Sequence, residues 1–249
     1  PLTQAVTEDK FLFLDEQGAK STPNALLPDC FKNHGNYIVS LGNVVRWLAA
    51  QAEALGVEIF PGFAAAEVLY DDKGAVKGVA TGNMGIGKDG EPTENFQLGM
   101  ELLGKYTIFA EGARGHLGKQ VIARYKLDDG RDPQAWGLGV KELWEIDPER
   151  HQPGFVMHTA GWPMDPSTYG GGFMYHLDGN RVALGFVTGL NYTNPYLSPF
   201  EEFQRWKTHP NVRWYFENAK GEVTAKRLEY GARAINASGI NSQIGRAHV

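Results

Sequence analysis

Two stretches hold the residues whose types and spacing suit chemistry. In STYGGGFMYHL, Ser167–Leu177, three consecutive glycines separate Tyr169 from Phe173 at the head of an apolar run. Glycine weakens a strand interior, because it costs backbone entropy and contributes no side chain to pack, so three together need a reason. Without a Cβ, the backbone N–H groups of Gly170 and Gly171 are open to a flat acceptor such as a ring carbonyl, with Tyr169, Phe173 and Tyr175 as apolar walls. The plain alternative is a bulge that starts the strand. In TIFAEGARGHLGKQ, Thr107–Gln120, an apolar run meets a small residue, an acid and a glycine before a helical pattern. That order brings backbone N–H groups at Ala110, Glu111 and Gly112 up to an anionic or ribityl-like ligand. Its plain alternative is a strand-turn-helix connection with glycines for geometry alone.

Other chemistries find little support. His34, His116, His158 and His176 match no metal-ligand spacing, and Cys30, the single cysteine, excludes a disulfide or a cysteine cluster within the chain. Cys30 has no motif of a nucleophile. A serine nucleophile would need the G-x-S-x-G elbow, which does not occur. The glycines of GNMGIG, 82–87, lie in a polar stretch with no apolar strand before them, so they are not a dinucleotide fingerprint. We therefore assign no catalytic side chain and no metal ligand. A net charge of −5 without a basic run argues against nucleic acid. Six tryptophans and ten tyrosines mostly alternate with apolar residues, which favours core packing over a stacking platform.

The elements that must position these residues fall into two halves. From Leu41 to Leu55 apolar residues recur at helical spacing and Gly56 stands at the C-terminus. VEIF, 57–60, reads as a strand, AAEVLYD and AVKGVATG as a hairpin across DDKG, and 82–99 as a polar surface excursion. A further strand through TIFA leads to a helix. The second half alternates like an antiparallel sheet, with a hairpin at LDGNR. Ser198, Pro199 and Glu201 then announce a covering helix, which Pro210 stops. The fold class is α/β plus α+β. The chain divides into an irregular lead-in (1–36), an α/β part (37–130), an antiparallel-sheet domain (131–235) and a truncated end (236–249) whose last six residues read as non-native.

Taken together, NHGNYIVSLGNVVRWLAAQAEALGVEIFPGF, TIFAEGARGHL, GLGVKELWEI, AGWPMDPSTYGGGFMYHL and NPYLSPFEEFQRWKTHP resemble the electron transfer flavoprotein-ubiquinone oxidoreductase family, in order and over nearly the whole chain. The resemblance implies a fragment of a longer flavoprotein that passes electrons from reduced electron transfer flavoprotein, through FAD and a four-iron, four-sulfur cluster, to ubiquinone. It implies that 37–130 is part of a two-dinucleotide-fold FAD domain, with TIFAEG a parallel strand, Ala110, Glu111 and Gly112 beside the flavin, and Ala66 near the adenine. It further implies that 131–235 binds quinone, through Tyr169, Gly170, Gly171 and Phe173. The cluster ligands, the glycine fingerprint and the membrane-dipping inserts of the family fall outside this chain, which alone is expected to be inactive. The implied location is peripheral on the inner membrane, on the bacterial cytoplasmic or mitochondrial matrix face. Two other readings share the layout: an FAD-dependent aromatic hydroxylase or isoprenoid-lipid reductase, and a non-catalytic module that holds an apolar ligand.

Overall fold

The computed structural model describes residues 2–218 and 220–236, and the side chains of 232–236 are not among what it describes. Of the segment 236–249, expected to be a truncated end with a non-native tail, all but Asn236 lies outside the described residues.

Along the chain, β1 (Gln4–Ala5), β2 (Glu8–Leu14), β3 (Ala19–Thr22) and β4 (Tyr37–Ile38) precede α1 (Leu41–Ala54). Gly56 ends α1 in the left-handed region at φ +86°, with Val57 N–H returning to the Ala52 carbonyl, the double closure that glycine permits at a helix terminus. Then come β5 (Ala65–Tyr70), β6 (Val76–Thr81), β7 (Met84–Ile86), β8 (Pro92–Gln97), β9 (Glu101–Leu103) and α2 (His116–Tyr125). The β5–β6 hairpin turns on Asp71, whose carboxylate accepts N–H bonds from Lys73 and Ala75, and on Gly74 at φ +80°. The last third holds β10 (Trp136–Glu145), β11 (Phe155–Gly161), β12 (Gly170–His176), β13 (Arg181–Gly189), α3 (Pro199–Thr208), α4 (Pro210–Arg213) and β14 (Lys226–Asn236). The β12–β13 hairpin turns where Gly179 and Asn180 both adopt positive φ, as its LDGNR sequence predicts.

By its internal packing the chain divides into two units, residues 51–132 and the remainder, with α1 spanning the first boundary. The larger unit is built on a seven-stranded sheet in the order β14-β10-β13-β12-β11-β2-β3. All its pairings are antiparallel except β2 with β11, which run parallel from Glu8 beside Phe155 to Leu14 beside Gly161. One face carries Leu12, Met157, Met174, Leu184, Phe186 and Val140, and packs under Phe203 and Trp206 of α3, Val212 of α4 and Phe216 into a single core. Helix α3 starts as its sequence announces, Ser198 Oγ accepting the Glu201 N–H. Pro210 both ends α3 and opens α4, where the missing proline N–H costs nothing.

Glu142 of β10 lies in this core with no exposure. Its carboxylate accepts from Lys207 Nζ at 2.7 Å, Arg227 at 3.1 Å and the Trp144 indole at 2.7 Å. A buried charge persists only when so fully paired, and here the pairing ties α3 and the edge strand β14 to the sheet.

Four expectations need correction. Residues 1–36 are not irregular, since β2 and β3 extend the sheet: the alternation of EDKFLFL puts Leu12 and Leu14 into the core and leaves the polar residues of β2 elsewhere. The polar excursion at 82–99 contains the two-stranded ladder β7–β8, an exposed ribbon in which Gly85 lets the Asn95 backbone approach. Neither VEIF, 57–60, nor Thr107–Ala110 forms a strand, and the parallel strand expected at TIFAEG is absent. An extended apolar segment becomes a strand only when a neighbour satisfies its backbone donors and acceptors. No described residue pairs with either segment, and Ile108 is 89% exposed. In the smaller unit a three-stranded sheet β5-β6-β9 forms as well as the β7–β8 ribbon, with Val68 and Leu117 as buried apolar side chains and Arg124 stacked 3.8 Å above the Tyr70 ring.

Candidate functional site

The three glycines head β12 and serve three separate purposes. Hydrogen bonding alternates along the strand: Gly189 N–H donates to the Tyr169 carbonyl and Leu177 N–H to the Arg181 carbonyl, while Gly154 N–H donates to His176. Odd-numbered residues therefore bond toward β13 and even-numbered ones toward β11. The registered β11–β12 pairs end at Thr159 with Gly172, so the Gly170 N–H points past the end of that ladder. Gly170 sits at φ +153°, and a Cβ there would stand 2.1 Å from the Val187 carbonyl oxygen and 2.5 Å from Met164 Cε. A Cβ on Gly171 would stand 2.1 Å from the Thr159 carbonyl oxygen. At Gly172 it would enter the Trp206 ring, 2.3 Å from Cε2. The sheet and α3 thus both require glycine here on packing grounds, whatever else binds.

Side-chain alternation divides the expected quinone residues. Gly171 and Phe173 project onto the sheet face opposite α3, whereas Gly170 shares the core side with Gly172 and Met174. The former face is aromatic. Phe173 lies over Gly185, where a Cβ would meet its ring at 2.5 Å, and stacks on Tyr175 at 4.9 Å. Tyr175 shares a 2.8 Å hydrogen bond with His158 Nε2. Burial pushes the Tyr175 phenol up to about 12, with the nearby Asp9 charge adding to the shift, and burial also lowers His158, so this pair is uncharged at neutral pH. Asp9 itself accepts from the Asn33 backbone and side chain at 2.9 and 3.1 Å. Tyr169 stands at the mouth of the strand, 63% exposed.

The residues expected at a flavin lie in the smaller unit. Ala110, Glu111 and Gly112 form the turn before α2, with Gly112 at φ +79° and open space where its Cβ would point. Glu111 folds onto the helix terminus, its carboxylate accepting from Leu117 N–H at 3.2 Å and Gly118 N–H at 2.6 Å. Gly115 is glycine for this reason, since its Cβ would stand 2.4 Å from Glu111 Cβ. The chain's own carboxylate thereby occupies the N-terminus that would otherwise attract an anion. Ala66 sits in the bulge of β5 against Gly82.

Sequence reasoning missed Thr159 and Trp206, which hold Gly172 from either side. Trp206 reads as the apolar stripe of a covering helix, and Thr159 as an ordinary strand residue. The available signal was the triple glycine itself, whose missing side chains must be matched by something large. Two concavities of about 290 Å³ each meet at Asn211 and Tyr215, on the core side near β2 and β3, and none of the expected site residues lines them. Among the described residues no cluster of three metal-ligating side chains occurs, and no helix is long and apolar enough to cross a membrane.

Comparison with known proteins places the architecture. A geranylgeranyl bacteriochlorophyll reductase-like protein from Thermoplasma acidophilum superposes with a TM-score of 0.61 at 12% identity, over 94% of this chain and 51% of its own. A flavoprotein/dehydrogenase from Cytophaga hutchinsonii gives 0.56 at 16% identity, over 93% and 50%. These likenesses concern the fold alone, a mixed α/β architecture. Residues 136–235 match the model of the ETF-QO, ubiquinone-binding family. The probable electron transfer flavoprotein-ubiquinone oxidoreductase of Acinetobacter baylyi is 54% identical over 97% of this chain and 42% of its own length. The mitochondrial electron transfer flavoprotein-ubiquinone oxidoreductase of Rattus norvegicus is 54% identical over 97% and 38%. The chain is thus similar to these electron transfer flavoprotein-ubiquinone oxidoreductases along nearly all of its own length, and it spans about two fifths of theirs.

Proposed function

We propose that this chain is the part of a flavoprotein oxidoreductase in which electrons from electron transfer flavoprotein reach ubiquinone. The observation that carries the reading is identity above one half with named ubiquinone oxidoreductases over nearly all of the chain, with the glycine run inside the matched quinone-binding segment. Residues 131–235 are then the quinone domain and 37–130 part of the FAD domain.

At the quinone end, Tyr169, Gly170, Gly171 and Phe173 border the ring. The Gly170 N–H, directed past the β11 ladder, is the better placed of the two glycine donors, and Tyr169 and Phe173 supply apolar area without charge. At the flavin end the fit is to backbone only. Ala110, Glu111 and Gly112 would offer main-chain groups at a turn that Gly112 leaves open, while the Glu111 carboxylate is spent on α2. Ala66 would lie toward the adenine. A bound flavin supplies one- and two-electron carrier chemistry, and the protein's contribution is orientation, hydrogen bonding and exclusion of water. An iron-sulfur cluster would take its ligands from outside this chain, and the enzyme would sit peripherally on the inner membrane, on the bacterial cytoplasmic or mitochondrial matrix face.

The test is photolabelling of the intact enzyme with an azido-ubiquinone in competition with ubiquinone. The competed label is expected in the tryptic peptide His151–Arg181. Exposed Tyr169 has little role in the core, so Tyr169→Ala should raise the KM for quinone about fivefold while flavin reduction by the partner flavoprotein and Tm stay unchanged. Competed label confined to other peptides would overturn the assignment.

A further inference from the structure

Glycine triplets are conformationally loose, and a donor that must meet a quinone oxygen cannot be. The run is held at its first end by Gly189 N–H donating to the Tyr169 carbonyl at 2.8 Å. Its other end is held by a side-chain network. Thr159 Oγ1 accepts from Trp206 Nε1 at 2.8 Å and from Gly172 N–H at 3.2 Å, and its own hydroxyl hydrogen is directed to the Gly172 carbonyl at 3.4 Å. One donor and two acceptor sites are all that a threonine hydroxyl has, so its hydrogen-bonding capacity is fully used. The network is dry: Thr159 is 5% exposed, Trp206 not at all, and Gly172 is buried. The indole cannot drift away, because Phe203 stacks on it at 6.0 Å and Phe186 leans against it at 6.1 Å. At Gly172 the registered pairing with Thr159 is thus supplemented by a hydroxyl whose position is set by a tryptophan on another element.

We propose that Thr159 and Trp206 are positioning residues of the quinone site, which fix the Gly170–Gly171 backbone through Gly172. The inference rests on the quinone reading above. Simple core packing would equally make both residues matter for stability, so the test must separate position from packing.

Thr159→Val keeps the shape and removes the hydroxyl. Thr159→Ser keeps the hydroxyl, and Trp206→Phe keeps most of the ring while removing the donor. In the intact enzyme, Thr159→Val is expected to raise the KM for a short-chain ubiquinone about tenfold, the scale set by leaving the buried Trp206 indole donor without its acceptor. Its flavin content and its rate of flavin reduction by the partner flavoprotein should match those of the unsubstituted enzyme. Thr159→Ser should restore the KM to within about twofold, and Trp206→Phe should fall between, on the scale of a single neutral hydrogen bond. A KM unchanged in both Thr159→Val and Trp206→Phe would overturn the inference, as would parallel losses in quinone reduction and flavin reduction that Thr159→Ser does not rescue. If Thr159→Val fails to accumulate as a folded protein, Trp206→Phe set against Thr159→Ser decides by the same KM criterion. Azido-ubiquinone labelling of His151–Arg181 distinguishes the two levels: competed label with no KM shift refutes the positioning role alone, and no label there refutes the quinone reading beneath it.

Discussion

Gly172→Ala probes the packing of the glycine run by itself. The added methyl would stand 2.3 Å from Trp206 Cε2, 2.5 Å from Cζ2 and 2.6 Å from Nε1, where ordinary contact begins at 3.4 Å, so the indole must retreat by about 1.1 Å. It has nowhere cheap to go, being fully buried between Phe203 and Phe186 and tethered to Thr159. Overpacking a dense core costs about 1–3 kcal/mol, and stretching the tether adds about 1 kcal/mol. The sum, about 2–4 kcal/mol, corresponds to a fall in Tm of roughly 5–15 °C for a protein of this size. Gly231→Ala is the control, since nothing lies within 4 Å of a Cβ there, and it should change stability by less than about 0.5 kcal/mol. Calorimetry of both variants, with tryptophan fluorescence to report the displaced ring, provides the measurement. If Gly172→Ala proved as mild as Gly231→Ala, the contact between the glycine run and α3 would be looser than the packing argument requires.

Two further outcomes are expected. Lys207→Met leaves the Glu142 carboxylate buried with one ionic partner fewer and should destabilise by about 3 kcal/mol, whereas Arg227→Met, at a half-exposed side chain, should cost less than about 1 kcal/mol; denaturant titrations that reverse this order would contradict the burial argument. Burial, helped by His151, pulls His176 down to about 3, and its Nδ1 already accepts the Gln152 N–H. Below the ordinary histidine value near 6.5 the unfolded chain takes up a proton that the folded one refuses, so stability should fall as pH drops from about 6.5 toward 3, by up to about 1.4 kcal/mol per pH unit. His176→Gln should flatten that difference, and an unchanged slope in urea titrations at pH 4–6 would refute it.

Much of the fold is legible in local sequence because its signals are local. Ser198 and Pro199 start α3, Gly56 closes α1, and the DGN turn joins β12 to β13 through contacts a few residues apart. What could not be read depended on distant partners. Thr107–Ala110 has the composition of a strand and no ladder among the described residues, whereas EDKFLFL, with three charged residues in seven, becomes one because β11 lies alongside. The candidate site follows the same division. GGG stands out in the sequence, but its complement, Thr159 and Trp206, is 13 residues away on one side and meets the glycines only through the register of β11 and the seating of α3. Glu111 stood out beside Gly112 as part of a backbone approach to a ligand, and its side chain caps its own helix, because the glycines at 115 and 118 let it reach the N–H groups.

The parallel pairing of β2 with β11 has a kinetic consequence. The bond from Gln152 to Glu8, beside the β2–β11 junction, joins residues 144 positions apart, and the whole smaller unit is made in the interval between them. Until residues 155–161 emerge, β2 and β3 form only a two-stranded hairpin, which is marginal in water by itself. During synthesis Leu12 and Leu14, later core residues, and the bonding edge of β2 therefore wait uncovered for a partner that arrives late. Closing so long a loop before any contact rewards it makes this junction a late and slow step in assembly of the sheet. A nascent chain stalled before Phe155 should be the aggregation-prone species, and one stalled after α3 the protease-resistant one.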